Sequence, residues 1–293
     1  MNILFIQNTK LRAILWMVLN CFLASSVLVV VKSSFPNLSL SILISSYHFV
    51  ATIFIGTAIL CLGYSVRTKL LYLHFIRSLL GVTAYFLYFH ALSITSIANV
   101  IALGYTDGIL TCFFSYIFLK EHINRTQIAN LVLSFIGALM IIKPDNHIIN
   151  TGALLAGISA ILWAASNILI KVIGKKDKAY VQLFYSNFFT FLLAGIVTIY
   201  QNHTIDLKFC FEYYHWILLL AIMSSIQYFA LFKSLNLTKS GIVMPFFIIS
   251  VVFIHIYGYT LLNETQDTTE ILGTILVLLV GVLQIFRVIT KTK

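Results

Sequence analysis

The sequence predicts an all-α polytopic membrane protein with ten transmembrane helices. Composition is the first reason. Of 293 residues, 60% are hydrophobic and 10% are charged, where a soluble domain carries roughly 25% charged residues. Mean hydropathy is +0.98. The second reason is segment length: the apolar residues gather into ten stretches, each near the roughly 20 residues that a spanning helix needs. The third is periodicity. Runs such as Leu272-Gly273-Thr274-Ile275-Leu276-Val277-Leu278-Leu279-Val280 lack the alternating polarity of a membrane-barrel strand.

The first segment, 12–31, follows Lys10 and Arg12. It is too long for a typical signal-peptide core and nine more segments follow, so it reads as an uncleaved signal anchor. The second, 40–62, carries Tyr47 and His48 in its interior, and the third, 70–91, carries His74 and Arg77 near its start and His90 near its end. The fourth, 96–119, holds Tyr105, Asp107 and Gly108 near its middle. Segments 126–142, 151–171 and 180–200 follow, with Trp163 and Asn167 in the sixth and Asn187 in the seventh. The eighth, 213–233, contains Gln227 and Tyr228, and the ninth, 241–262, contains Pro245 and His255. The tenth is 270–289. Connections between segments are short, so the activity must reside within the membrane.

A net charge of +10 raises the question of a nucleic-acid partner, and the distribution of charge answers it. With a cytoplasmic N-terminus and ten alternating spans, sixteen of the nineteen Lys and Arg residues fall on the cytoplasmic side, leaving Lys32, Lys143 and Lys208 outside. Basic residues are retained on that side during insertion, and a nucleic-acid binder would need one clustered basic surface instead. Of the four cysteines, Cys21, Cys61 and Cys112 lie in spans and Cys210 in an outer loop, with no metal-ligand spacing.

The halves of the chain echo one another. A shift of 143 residues lays Leu119-Lys120-Glu121 on Leu262-Asn263-Glu264, Thr95 on Thr238 and Leu92 on Leu235. A shift of 139 lays Lys32 on Lys171 and Phe49 on Phe188. Two repeats of five spans, residues 1–146 and 147–293, are therefore expected. Five is odd, so the second repeat is inserted upside down relative to the first. Inverted repeats place a site near the midplane and let it face either side by rocking.

With the span-three pattern from Leu73 to Gly81 running on to His90-Ala91-Leu92, the Leu119-Lys120-Glu121 close of span four, Ile136-Gly137-Ala138-Leu139 in span five, Trp163 to Lys171 in span six and Asn263-Glu264 after span nine, the chain resembles the ten-span EamA-type branch of the drug/metabolite transporter superfamily. The resemblance covers nearly the whole chain. It implies alternating access by two inverted five-helix bundles around a central cavity. Carriers that take up S-adenosylmethionine and exporters of amino acids and metabolites are among the relatives it brings to mind. Where the family often has proline in the middle of span four this chain has Tyr105-Thr106-Asp107-Gly108, and where it commonly has arginine in span two the chain has Tyr47-His48-Phe49.

Asp107 is the foremost candidate for binding a solute. An acid at mid-span costs about 2.5–3.5 kcal/mol on insertion scales and usually faces a cavity. Tyr47, Tyr105, Trp163 and Tyr228 stand near polar positions, and an acid among aromatics suits an organic cation or the ammonium group of a zwitterion. The expected substrate-binding set is Asp107, His48, Tyr47, Tyr105, Trp163, Asn167, Asn187, Gln227 and His255. His48 and His255 are read either as helix-bridging imidazoles or as proton relays. Arg77, near the cytoplasmic end of span three, is expected to snorkel toward headgroups, with an inner gate as the functional rival. Glu121 and Glu264 are helix-end acids on opposite faces, expected at gating or surface-pairing positions.

These residues point to a secondary transporter of a small organic metabolite, such as an amino acid or an S-adenosylmethionine-like solute, in a bacterial inner membrane with both termini cytoplasmic. Export of drugs or toxic metabolites is the alternative in direction. An intramembrane enzyme is a competing class, but the sequence contains neither HExxH nor GxSxG, and no GxxxxGK[ST] loop for nucleotide coupling. No catalytic residue, metal or cofactor is expected. The expected partners are the small-molecule substrate, the lipid bilayer and a second copy of the chain as a homodimer, without nucleic acid.

Overall fold

The computed structural model describes residues 9–35, 39–144, 150–201, 212–262 and 267–290. Among them the chain forms twelve helices and no strand. These are α1 (Thr9–Ser34), α2 (Leu40–Cys61), α3 (Leu71–Ile94), α4 (Ile97–Gly104), α5 (Thr106–Leu119), α6 (Arg125–Ile142), α7 (Thr151–Gly174), α8 (Ala179–Tyr200), α9 (Tyr214–Leu237), α10 (Ser240–Phe247), α11 (Ile249–Leu262) and α12 (Thr268–Thr290). They supply ten stretches long and apolar enough to cross a membrane, because α4 with α5 and α10 with α11 each make one span. The protein is a multi-pass helical membrane protein.

Two spans are broken, and the hydrophobic pattern gives each as a single segment, 96–119 and 241–262. The ninth span contains a proline. Pro245 lies inside α10, where it lacks the N–H that would bond the Gly241 carbonyl, and the helix yields three residues further on, at Ile248. In the fourth span no proline is present. There the ladder yields at Tyr105, where the Thr106 hydroxyl donates to the Leu103 carbonyl at 2.5 Å and the Gly108 N–H donates to the Tyr105 carbonyl at 3.3 Å. A shift of 143 residues carries Tyr105 onto Ile248, and each break separates a helix of 8 residues from one of 14.

Packing runs between the two halves of the chain. Helix α3 packs most extensively on α7, α1 on α9, α2 on α8, and α6 on α12. Lipid replaces water around such a bundle, so close fit and interhelical hydrogen bonds hold it together. The contact of α6 with α12 shows both. A Cβ on Gly137 would meet the Gly273 carbonyl oxygen at 3.0 Å, and one on Gly273 would meet the Gly137 carbonyl oxygen at 2.7 Å. The backbones touch there and leave no room for a side chain. One end of the same seam is joined by Asn130, whose amide donates to Gln284. On the far side of α12, Leu272, Ile275, Leu279, Val282 and Phe286 are exposed, a stripe at helical spacing suited to acyl chains.

Helix ends are closed by local chemistry. Asn124 and Gln127 form a reciprocal capping box at the start of α6. Lys120 and Lys143, with φ of 54° and 49°, end α5 and α6 in the left-handed region. Lys143 then pairs with Asp267 and Glu270 at the start of α12. The Asp267 carboxyl is held below its ordinary pKa, first by the ammonium of Lys143 and then by the Glu270 N–H.

Candidate functional site

A cavity of about 310 Å³ occupies the centre of the bundle and is lined from both halves. Its position follows from the broken spans. Asp107 is the second residue of α5, just past the interruption at Tyr105. Its side chain therefore lies in the first turn of a helix within the fourth span, where the helix dipole favours negative charge. Asp107 is 4% exposed. Its Oδ1 accepts from Thr111 Oγ1 at 2.8 Å and from Asn167 Nδ2 at 3.0 Å. Asn167 also donates to Thr111 Oγ1 at 3.1 Å, so α5 and α7 hold the acid in one orientation.

The structure corrects the expectation for Arg77. The guanidinium does not snorkel to the membrane surface: it lines the cavity and is 6% exposed. Arg77 stands six residues into α3, about 9 Å along the helix. Leu71, Tyr72, Phe75, Ile76 and Leu79 take the outward face, which turns Arg77 toward the bundle interior. Its Nη2 donates to Ser186 Oγ at 2.6 Å and to Ser78 Oγ at 3.1 Å. The guanidinium carbon lies 5.2 Å from the centre of the Phe232 ring.

His48 lines the same cavity, and its Nδ1 is 2.7 Å from Asn187 Oδ1. Asn187 Nδ2 is committed to the Leu183 carbonyl at 2.9 Å. Its Oδ1 is therefore the acceptor, which makes His48 Nδ1 the protonated nitrogen and leaves Nε2 with the lone pair. Tyr47, Tyr105, Trp163 and Gln227 also reach the cavity, whereas Asn187 supports His48 from behind. His255 is not on the cavity. It is half-buried on α11, and its Nε2 has no hydrogen-bond partner among the described residues.

Several cavity residues lie outside the set expected from sequence. Tyr85, Tyr88 and Phe89 form an aromatic wall beside Tyr228 and Phe247. The Tyr88 ring stacks obliquely on Trp163 at 5.2 Å. Tyr105 makes a 3.0 Å hydrogen bond to Ser250 across the two broken spans. A signal for this wall was present: Arg77, Ser78, Gly81, Tyr85, Tyr88 and Phe89 recur at helical spacing along one face of α3.

The cavity extends from Asp107 and Arg77 toward Val31, Phe89, Ile101 and Ile254. The opposite end is sealed. Glu121 Oε1 pairs with Lys171 Nζ at 2.6 Å, and Glu121 Oε2 accepts the Ser240 N–H at 2.8 Å. Lys171 Nζ also donates to the Thr238 carbonyl at 2.9 Å and to Ser240 Oγ at 3.2 Å, and Ser240 Oγ is 2.7 Å from Ser115 Oγ. Beyond this seal a second, wider recess contains Lys10, Lys175, Lys239 and Arg287. Lys171 escaped the sequence reading because its partner acid is fifty residues away in the chain. Glu264 lies outside the described residues.

Comparison with known proteins agrees with this architecture. The chain is 25% identical over 205 residues to the pseudopaline exporter CntI of Pseudomonas aeruginosa (strain UCBPP-PA14), covering 69% of this chain and 70% of the exporter. It is 22% identical over 217 residues to the S-adenosylmethionine uptake transporter of Rickettsia bellii (strain RML369-C), covering 73% of this chain and 72% of that protein. A solved crystal structure superimposes with a TM-score of 0.75 at 16% identity, covering 92% of this chain and 95% of the other, and so shares the fold. The EamA-like transporter family matches residues 11–143 and again residues 150–287. Ten spans, a central polar cavity and a match to both halves together place this chain in the EamA-like transporter family.

Proposed function

We propose that the chain is a secondary transporter, not an enzyme. In this reading it carries a small cationic or zwitterionic organic metabolite across a bacterial inner membrane, with both termini cytoplasmic. Residues 1–146 and 147–293 act as two inverted repeats that rock about the cavity. The observation that carries the reading is Asp107, a buried carboxylate in the first turn of a helix within the fourth span, lining an aromatic-walled cavity. Such a site offers charge and aromatic faces to a cation. Relatives named for S-adenosylmethionine uptake and for pseudopaline export support a small-metabolite cargo. With a cytoplasmic N-terminus, the cavity extends to the outside and the Glu121–Lys171 seal lies at the cytoplasmic face.

The test is counterflow in proteoliposomes with S-adenosylmethionine and a panel of amino acids and amines. Vesicles preloaded with unlabelled solute are expected to accelerate saturable entry of labelled solute, and Asp107→Asn to abolish the acceleration. Flux that rises linearly with concentration and ignores the preloaded solute would refute the carrier mechanism. A covalently altered solute would indicate an enzyme.

A further inference from the structure

The cavity is lined by a second charged side chain, Arg77. Arg77 is 6% exposed, and among the described residues it forms no ion pair. Its Nη2 is shared between two serine hydroxyls, and its Nε is buried without a hydrogen-bond partner among the described residues. A buried guanidinium has five N–H donors in a planar fork that matches a carboxylate. Leaving such a group unpaired in a low-dielectric interior is costly unless an anion completes it.

The neighbouring basic side chains differ from Arg77 in this respect. Lys171 is matched by Glu121, and His74 is matched by Asp177 at 2.8 Å. Asp177 is further engaged by Thr68 at 2.5 Å. Asp107 has no cationic partner either among the described residues. The two unpaired charges flank α7. Ser166 Oγ donates to the Arg77 carbonyl at 3.2 Å, while the adjacent Asn167 donates to Asp107. Both charges therefore face one cavity from different walls instead of neutralising each other.

Building on the transport reading above, we infer that Arg77, Ser78 and Ser186 form a carboxylate subsite, so that the solute is a zwitterion with its anionic group at Arg77 and its cationic group toward Asp107. Tyr85, Tyr88, Trp163 and Tyr228 line the space for the body of the solute. The cavity, about 310 Å³, lies at the small end of ligand pockets, which run about 300–1,000 Å³. An α-amino acid or a compound that keeps an amino-acid head group meets these requirements. A simple organic cation leaves Arg77 unmatched.

The experiment compares acids with amines. Purified protein is titrated with S-adenosylmethionine and the aromatic and aliphatic amino acids, each against its decarboxylated counterpart, with thermal stabilisation as the readout. The expected result is that at least one acid stabilises the wild type at about tenfold lower concentration than its amine, the scale of a charge-assisted hydrogen bond. In Arg77→Gln that preference collapses toward unity, and Arg77→Lys restores part of it. Ser186→Ala keeps the charge and removes one orienting hydroxyl, and it should weaken acid binding several-fold; it serves if Arg77→Gln does not fold. Equal binding of acids and amines by the wild type, a preference that survives in Arg77→Gln, or no stabilisation by any carboxylate-bearing compound overturns the assignment. Counterflow of an amine without acid preference removes the carboxylate subsite and leaves the carrier mechanism standing.

Discussion

Replacing Lys171 by methionine tests the seal at the Glu121 end. In the native protein Glu121 has two partners, the Lys171 ammonium at 2.6 Å and the Ser240 N–H at 2.8 Å. Methionine keeps much of the packing and removes the charge. Breaking a buried ion pair from one side costs about 3–5 kcal/mol, because the other charge is stranded. Glu121 retains the Ser240 N–H and 14% side-chain exposure, which lowers the expected cost to about 2–3 kcal/mol. A form open at this end has already lost the pair and is spared that cost. Its population relative to the sealed form should therefore rise about 30- to 150-fold. Cys112, buried at 4% exposure on α5 one turn before Ser115, is a native reporter of opening. In a background with Cys21, Cys61 and Cys210 replaced by serine, labelling of Cys112 by a membrane-permeant maleimide should accelerate in Lys171→Met. Adding Glu121→Gln removes the stranded charge and should recover most of the thermal stability. An unchanged labelling rate, or stability losses that simply add in the double variant, would refute the view that this pair holds the end closed.

Three further outcomes follow from the geometry. Gly273→Ala pushes a methyl group into the Gly137 carbonyl oxygen and should destabilise the protein by about 1–3 kcal/mol, the usual range for overpacking; a melting curve in detergent measures it, whereas Ala substitution at the exposed Leu272 should leave the curve nearly in place. Asn167→Ala strips one of the two donors from Asp107 Oδ1 and should weaken binding of the cationic part of the solute about fivefold to tenfold, read as a higher half-saturation concentration in uptake. For pH, Asp267 has a depressed carboxyl pKa owing to Lys143, so its stabilising effect is complete above the ordinary carboxylate value, about 4, and is lost as pH falls through the lower native value. Asp267→Asn should flatten this acid limb of melting temperature against pH, and a limb unchanged by the substitution would assign it to other groups.

The ten spans were legible because each is a local property of the chain: about twenty apolar residues in sequence need no distant partner to be recognised. Residues that line the cavity were legible where a single residue violates its surroundings. Asp107 is such a residue, and it does line the cavity with Tyr47, His48, Tyr105, Trp163, Asn167 and Gln227. Orientation about the helix axis was harder to read. Arg77 sits near a span end, which suggests the interface, yet the opposing stripe of Leu71, Phe75 and Leu79 turns it inward. His255 is as deep in its segment as His48 but looks away from the cavity. The break at Tyr105 carries no proline, and the Lys171–Glu121 pair joins residues far apart in sequence. Hydrophobic periodicity carries neither kind of information.

The two halves share a scaffold but not a charge pattern. The shift of 143 residues that carries the Tyr105 break onto Ile248 also carries Asp107 onto Ser250 and Arg77 onto Leu220. Asp107 and Arg77, neither in an ion pair among the described residues, thus both lie in the first half of the chain, while the second half contributes the Asn167 amide, the Ser186 hydroxyl and aromatic faces beside them. Under the proposed rocking of one repeat against the other, a zwitterion held by Asp107 and Arg77 would travel with the first repeat. The supporting contacts from the second repeat would be those remade. Hydrogen bonds between neutral groups and a charge exchange more cheaply than ion pairs, whose separation in a low-dielectric interior costs several kcal/mol. Under that proposal, having both charges on one half would let the other move without separating the solute from its counter-charges.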